Sequence, residues 1–342
     1  MVKLGALDQS PIRAGGTAAE ALRETVELAQ LCDRLGYSRY WLAEHHSSGG
    51  LASATPEVLI AEVASRTSHI RVGSGGIMLT HYSPLKVAET FRMLEALHPG
   101  RIDLGVGRAP GSDTKTARAL AHGPGQIGID QYPDQLLDLY GFLANDIPAE
   151  HPFRGITAMP AGETLPELWV LGSSAASAQY AAQLGWSFCF AHFINAEGGE
   201  RAMRYYQDQF EPSPFLKRPR GSLAVSVTVA DTHDEAEHLS WSRWGWRLMG
   251  QRGLRAGIPT PEAAKAFAYT EPERDYLAYV ASRSIFGNPH EVRDRLEELG
   301  REYAVDEFVC VTITHSFAAR KRSYELLAKV FDLPAPHEAA AK

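Results

Sequence analysis

The chain has 342 residues, of which 44% are hydrophobic and 22% are charged, and its formal net charge is −7. This composition indicates a globular protein with ample apolar material for a core. The basic residues are scattered, whereas nucleic-acid binding needs a concentrated basic face, so we expect no nucleic-acid partner. No stretch approaches the ~18 apolar residues of a membrane span. The first residues lack the apolar region of a secretory signal, so the expected location is cytoplasmic, away from membranes.

The three cysteines, Cys32, Cys189 and Cys310, are far apart, and each lies in an apolar stretch. This odd number and wide spacing favour small buried side chains over disulfide bonds or a metal cluster. We therefore expect no metal site.

Short apolar, β-branched runs alternate with amphipathic helical patterns along the whole chain. In the first helical pattern, Leu22, Val26 and Ala29 recur on one face, and Gly36 ends the helix. The predicted strands are Lys3–Asp8, Arg39–Ala43, Ile70–Ile77, Arg101–Val106, Leu168–Leu171, Ser187–Ala191, Leu223–Ala230 and Glu307–Ile313.

This strand–helix alternation predicts an α/β fold with a parallel sheet and helices on its faces. Eight such units suit a (β/α)8 TIM barrel, and a doubly wound sheet is the alternative. Between Ala230 and Glu307 helical patterns follow one another without a convincing strand. Residues 231–306 are therefore predicted to form a helical insertion before the last strand. No linker or low-complexity segment interrupts the chain, so residues 1–342 are predicted to form a single domain.

The second predicted strand is followed by Glu44, His45 and His46. In a barrel of this type, chemistry takes place at the carboxyl ends of the strands. Two imidazoles beside a carboxylate suit proton transfer near neutral pH. The alternative is an ordinary hydrogen-bonded histidine pair. A shared metal ion is disfavoured because adjacent residues on an extended strand point to opposite faces.

The fourth predicted strand runs into a glycine-rich turn that contains Gly105, Gly107 and Arg108. Pro110 stands where a dinucleotide-binding fingerprint needs its third glycine, so we reject a Rossmann fold. Arg108 is a planar, permanently charged partner for a phosphate. The alternative is a surface arginine after a tight turn.

The fifth predicted strand ends in Gly172, Ser173 and Ser174, and a helix follows. Serines at the start of a helix present hydroxyl and free N–H groups to an anion, and Ser177 lies one turn later on the same side. Helix capping alone would explain Ser173 or Ser174. Together with Arg108 on the neighbouring strand, they indicate a phosphate site.

These segments resemble the luciferase-like monooxygenase family, specifically its single-subunit, FMN-dependent group related to bacterial luciferase. The resemblance extends over about residues 3–330, and the segments from the second and fourth strands are specific in combination. The matching stretches are Leu7–Ile12, Tyr40–His46, Val72–Leu79, Pro99–Asp113 and Leu171–Ser174.

The resemblance implies a (β/α)8 barrel with a late insertion and assigns residues to a flavin site. His45 aligns with the histidine that luciferase needs for its chemistry, with Glu44 and His46 beside it. Gly75 and Gly76 fall where the family has a non-prolyl cis peptide under the flavin ring, although a bulge would also explain these glycines. The implied cofactor-binding residues are Gly75, Gly76, Arg108, Gly172, Ser173, Ser174 and Ser177. Ser173 and Gly107 depart from luciferase, which has a carboxylate and a cysteine there, so we do not expect luminescence.

By this resemblance, the protein is an FMN-dependent monooxygenase that uses O2 to oxygenate a small organic substrate. Because the chain has no nicotinamide fingerprint, a separate flavin reductase is expected to supply the reduced FMN through a transient encounter. Two alternatives stay open, namely a deazaflavin (F420)-dependent hydride-transfer enzyme and a non-catalytic flavin-binding protein. Loop residues near Asp8, His81 and Tyr82, and others within 231–306, are expected to line the substrate pocket.

The resemblance also implies a homodimer formed through two helices, at about residues 56–67 and 84–98. These helices carry more apolar surface than one barrel face needs. The apolar residues concerned are Val58, Leu59, Val87, Phe91 and Leu94.

Overall fold

The computed structural model describes residues 2–108, 113–120 and 129–334. Residues 109–112, which belong to the fourth-strand segment of the family resemblance, lie outside the described residues. The strands are β1 (Lys3–Asp8), β2 (Arg39–Leu42), β3 (Arg71–Ser74), β4 (Ile77–Met78), β5 (Ile102–Gly107), β6 (Glu167–Gly172), β7 (Ser187–Phe190), β8 (Gly221–Val229), β9 (Ile285–Gly287) and β10 (Glu307–Val311).

Helices separate most of these strands. A short 3₁₀ helix, Leu79–His81, follows β4, and a second one, Ile129–Gln131, precedes the fifth α-helix. None of the helices in the described ranges is long and apolar enough to cross a membrane. The α-helices are α1 (Ala18–Arg34), α2 (Pro56–Arg66), α3 (Pro84–Leu97), α4 (Thr114–Leu120), α5 (Tyr132–Ala144), α6 (Ala175–Leu184), α7 (Gly199–Asp208), α8 (His233–Gln251), α9 (Pro261–Ala266), α10 (Glu271–Ser282), α11 (Pro289–Tyr303) and α12 (Phe317–Val330).

The strand order is β10-β1-β2-β3-β5-β6-β7-β8-β9, with β4 beside β5, and β10 also pairs with β8. This additional pairing closes the sheet, and the predicted (β/α)8 barrel is confirmed. Each predicted strand overlaps an observed one, because strands buried on both faces read as nearly continuous apolar runs. The short strand β9 was not predicted. It lies within the expected helical insertion and pairs in parallel with β8.

By internal contacts, the chain divides into two compact units. The first comprises Met1–Tyr40, Ser48–Ser53 and Leu223–Lys342, and the second comprises Trp41–Ser47 and Ala54–Ser222. In the first unit, β10 lies between β1 and β8. In the second, β5 lies between β3 and β6, and β6 pairs with β7. The organisation into a single domain stays a prediction.

A buried ion pair lies in the first unit, at the end of β1. Asp8 is fully buried and accepts hydrogen bonds from Arg320 at 2.7 Å, from the backbone N–H of Ser10 at 2.7 Å, and from the Tyr40 hydroxyl. Burial raises the pKa of Asp8, but Arg320 and these hydrogen bonds more than offset it, so the pKa lies below its ordinary value. Asp8 is therefore a structural anion of the first unit, and the expectation that loop residues near it line the substrate pocket stays a prediction.

The two helices expected at a dimer interface lie in the second unit. Val87, Phe91 and Leu94 on α3 are buried in the protein's own core, so they are not the free apolar surface that the pattern indicated. The large apolar side chains exposed on these two helices are instead Val58 on α2 and Met93 and Leu97 on α3. The homodimer stays a prediction, and the exposed apolar surface that supports it is smaller than the sequence indicated.

The buried ion pair leads to a prediction about stability. Replacing Arg320 by Ala leaves the Asp8 carboxylate buried without its counter-charge, which typically lowers the free energy of unfolding by about 3–5 kcal/mol. Urea denaturation of both proteins at pH 7 measures the difference. The control is Arg322→Ala, whose ion pair with Asp231 is exposed, so little change is expected.

The lowered pKa of Asp8 fixes how the stability of the protein depends on pH. Because the folded pKa of Asp8 lies below its ordinary value of 3.8, its stabilising contribution is complete above that pH. The contribution is lost as the pH falls through the folded pKa. An Arg320→Ala protein as stable as the wild type at pH 7 would contradict this role of the pair.

Candidate functional site

The carboxylate of Glu44 lies just beyond β2 and is buried, with 1% of the residue exposed. The backbone N–H of Met78 donates to its Oε2 at 2.9 Å, and the Tyr82 hydroxyl donates to Oε1 at 2.7 Å. His46 Nε2 also lies 2.7 Å from Oε1. These contacts tie the end of β2 to β4 and to the turn after it. The sequence predicted Glu44 and His46 as site residues, but it did not predict the hydrogen bonds from Met78 and Tyr82 to Glu44.

Further titratable side chains surround this carboxylate. The His46 ring contacts the edge of the His81 ring at 6.3 Å between centroids, and His81 contacts Tyr82 at the same distance. Glu57 on α2 is half-buried, and burial, together with the charge of Glu44, raises its pKa. His81 and Tyr82 were predicted near the substrate, and the structure places them beside His46.

His45 occupies a different environment from its neighbour. Burial, and in smaller part the proximity of His46, lowers the pKa of His45 to about 4. Its Nδ1 is buried and has no hydrogen-bond partner in the described part of the chain. The imidazole is therefore neutral at pH 7, so the two histidines are not equivalent.

The peptide bond between Gly75 and Gly76 is cis, as the family resemblance implied. The N–H of Gly75 donates to the carbonyl of Leu42 at 2.8 Å, which joins this turn to the end of β2. A Cβ atom at position 76 would lie 2.7 Å from both the Gly105 carbonyl oxygen and Leu171 Cδ1. Only glycine allows β5 and β6 to approach this turn so closely.

Arg108 lies close to the predicted serine cluster. The register of β5 and β6 pairs Gly107 with Leu171, so Arg108, the residue after β5, follows beside Gly172, the last residue of β6. Arg108 is half-buried and forms no ion pair with any described residue. It is therefore available to an anion at the end of these two strands.

The serines lie at the start of α6. Ser174 caps this helix by accepting a hydrogen bond from the Ser177 N–H at 3.4 Å, and the two hydroxyl oxygens are 3.2 Å apart. Gly172 packs against Ser177, since a Cβ there would lie 2.1 Å from the Ser177 hydroxyl. Ser173 is half-buried beside them. Capping thus explains Ser174, and the N-terminus of α6 still presents its positive dipole end to an anion.

Tyr132, at the start of α5, was missed by sequence analysis. Its side chain is buried, and its hydroxyl has no hydrogen-bond partner among the residues described. Burial raises the pKa of Tyr132, and the charge of nearby Arg108 opposes that shift. The buried Tyr132 hydroxyl, which has no partner among the described residues, lies near the Arg108 guanidinium. This pair of donors fits a phosphate, which would accept from both groups. The local sequence, Tyr132-Pro133, shows only a helix start, so it gives no sign of this role.

The described residues include no candidate metal site. Within residues 2–108, 113–120 and 129–334, no group of three or more His, Cys, Asp or Glu side chains could hold a metal ion. Cys32, Cys189 and Cys310 are all free and buried.

Comparison with known proteins gives consistent matches over nearly the whole chain. The sequence model of the luciferase-like monooxygenase family matches residues 2–307. The Bacillus subtilis protein YceB is 45% identical over 97% of this chain and 100% of its own length. The N-acetyl-S-alkylcysteine monooxygenase of the same organism is 37% identical, over 96% of this chain and 98% of its own. The crystal structure of apo-MsnO8 superposes with a TM-score of 0.89 and 38% identity, over 98% of this chain and 100% of that one.

More distant solved structures share the fold alone and differ in cofactor. The oxygenating constituent of 3,6-diketocamphane monooxygenase from Pseudomonas putida, in complex with FMN, has a TM-score of 0.68 and 19% identity, over 98% of this chain and 99% of that one. An F420-dependent secondary alcohol dehydrogenase has a TM-score of 0.67 and 13% identity, over 96% and 98%. Where the names of these relatives and neighbours state an activity, it is that of a monooxygenase or a dehydrogenase.

The buried position of His45 can be tested directly. In a protein labelled with ¹³C at histidine Cε1, its NMR signal should titrate with a midpoint at about 4, because burial penalises the charged imidazolium. A His45→Asn protein identifies the signal by its disappearance. A midpoint near the ordinary value of 6.5 would contradict the buried, neutral imidazole.

Proposed function

Because the chain belongs to the luciferase-like monooxygenase family, we propose that it is an FMN-dependent monooxygenase of the two-component type. It uses O2, and reduced FMN delivered by a separate flavin reductase, to oxygenate a small organic substrate. The observation that supports FMN best is the set of free donors at the ends of β5 and β6. Relatives named as monooxygenases support the reaction class.

A terminal phosphate such as that of FMN suits these donors. Arg108 supplies a charge-assisted hydrogen bond, and Tyr132 supplies a buried hydroxyl that lacks an acceptor. The start of α6, with Ser173, Ser174 and Ser177, adds hydroxyl groups and the positive end of the helix dipole. A doubly charged phosphate would satisfy all of these groups at once.

The groups for chemistry lie at the ends of β2 and β3. Reduced FMN supplies the electrons that activate O2, which no side chain of the protein can do. Gly75 and Gly76 offer a turn without side chains on which a flat ring can rest. His45 and His46 are the candidate proton-transfer groups of the proposal. Glu44 acts through His46 as a positioning residue, because both its carboxylate oxygens already accept hydrogen bonds from the protein.

The expected partners follow from the same proposal. A flavin reductase would interact only transiently, to deliver reduced FMN. One relative, 24% identical, is named as the oxygenase component of a trigonelline monooxygenase, which supports a system of two proteins. A homodimer through α2 and α3, with Val58, Met93 and Leu97 exposed there, also belongs to the proposal.

Flavin titration combined with oxygen consumption tests this function. We expect reduced FMN to bind more tightly than F420, and bound reduced FMN to support O2 consumption when a flavin reductase and NADH regenerate it. Preferential binding of F420 would favour the hydride-transfer alternative. Tight FMN binding that protects the cofactor from O2, with no turnover, would favour a non-catalytic flavin-binding protein.

The phosphate assignment leads to a separate prediction. Replacing Arg108 by Ala removes a charge-assisted hydrogen bond, typically worth about 1.5–3 kcal/mol. FMN should therefore bind about ten-fold to more than a hundred-fold more weakly in a fluorescence titration. Arg118→Ala is the matched control, because Arg118 is exposed on α4, and it should bind FMN like the wild type. Equal losses in the two variants would argue against a specific contact at Arg108.

A further inference from the structure

The surroundings of Glu44 determine where the proton of His46 lies. The backbone N–H of Met78 can only donate, and it points at Oε2. The Tyr82 hydroxyl and His46 Nε2 both face Oε1, at 2.7 Å. The carboxylate form of a glutamate has no hydrogen to donate and acts only as an acceptor. His46 Nε2 must therefore carry a hydrogen to make this contact.

From this arrangement we infer that Glu44 is a positioning residue that fixes the proton of His46 on Nε2, so that Nδ1 of His46 is the proton-accepting atom of the site. In a neutral imidazole with hydrogen on Nε2, Nδ1 has a free lone pair. Nδ1 of His46 makes no hydrogen bond with any described residue, and 11% of the side chain is exposed. The atom is thus open to a reacting group. The catalytic meaning of this inference rests on the proposed function.

The contrast with His45 supports this division of roles. When an imidazole accepts a proton it gains a positive charge, and the surroundings must stabilise that charge. At His46 the Glu44 carboxylate lies at hydrogen-bond distance from the opposite nitrogen. At His45 burial and the adjacent imidazole both disfavour the charge. The same pairing of a carboxylate with an imidazole orients the base in other enzymes.

The proton balance of the step is simple. A proton leaves an O–H or C–H group of the reactants for Nδ1 of His46, and its bonding electron pair stays on the donor atom. His46 becomes an imidazolium, still bound to Glu44 through Nε2. The proton then passes from Nδ1 to the oxygen atom of O2 that is released as water, which restores the neutral imidazole. The electrons for O2 come from the reduced FMN of the proposed function.

NMR of the flavin-free protein labelled with ¹⁵N-histidine tests the tautomer. Long-range ¹H–¹⁵N spectra separate a protonated nitrogen from a bare one, and a His46→Gln protein identifies the signals. In the neutral form of the wild type we expect hydrogen on Nε2 and a bare Nδ1. A proton on Nδ1, or an equal mixture of the tautomers, would overturn the inference.

Two variants distinguish the positioning of His46 by Glu44 from a general weakening of the hydrogen bonds around Glu44. In Glu44→Gln, the amide oxygen is expected to accept from the Met78 N–H, which turns the NH2 group toward His46 Nε2, so the Nε2–H preference of His46 should be lost. Tyr82→Phe removes one hydrogen bond to the same Oε1 but leaves Glu44 and His46 together, so the preference should persist. Glu163→Gln, an exposed position, is the control for the substitution itself. An unchanged tautomer in Glu44→Gln, or the same loss in Tyr82→Phe, would overturn the role of Glu44.

A kinetic measurement connects the tautomer to chemistry. The probe is the rate at which O2 reoxidises reduced FMN on the protein, followed against pH by stopped flow. His46→Gln should remove a pH-dependent step that His45→Gln retains, while both bind FMN within a few-fold of the wild type. Loss of the step only in His45→Gln would overturn the choice of His46. If reduced FMN did not bind at all, the proposed function would fail, whereas the NMR result would still decide the role of Glu44.

Discussion

A buried carboxylate at the end of β2 organises the candidate site. A buried charge is tolerated only when hydrogen bonds replace its lost hydration, and Glu44 receives them from Met78, Tyr82 and His46. Each of these contacts fixes a different part of the site. The Met78 N–H anchors the segment that follows the Gly75–Gly76 turn, Tyr82 anchors the next turn, and His46 is oriented by its ring nitrogen.

The two adjacent histidines differ strongly because their surroundings differ. His45 lies where burial removes the charged form of its imidazole. His46 lies beside the Glu44 carboxylate, 2.7 Å from its Oε1. Under the proposal, the segment after β2 thus presents a neutral polar group and a base with a defined tautomer.

The sequence predicted the fold better than it predicted the contacts of the site. Buried parallel strands produce apolar runs that a single sequence reveals, whereas β9 has three residues and leaves no comparable pattern. Apolar spacing shows that one face of a helix is buried but not what covers it, so Phe91 was misassigned to an interface. Tyr132 was not predicted, and Tyr82 was predicted near the substrate but not as a hydrogen-bond donor to Glu44. Both tyrosines lie beside residues distant in sequence, and local sequence patterns carry no information about such contacts.

The fold alone does not define the reaction of this protein. Structures with this fold use FMN in one case and F420 in another. A barrel scaffold holds strand ends in fixed positions, and chemistry changes when the few residues at those ends change. Here the donors at the ends of β5 and β6 suit a phosphate, whereas the groups beside β2 handle protons. Because these two sets lie on different strands, substitutions that weaken cofactor binding are separable from substitutions that alter proton transfer. Under the proposed function, the residues near Glu44 and His46 therefore govern the reaction, whereas the phosphate donors govern the binding of the cofactor.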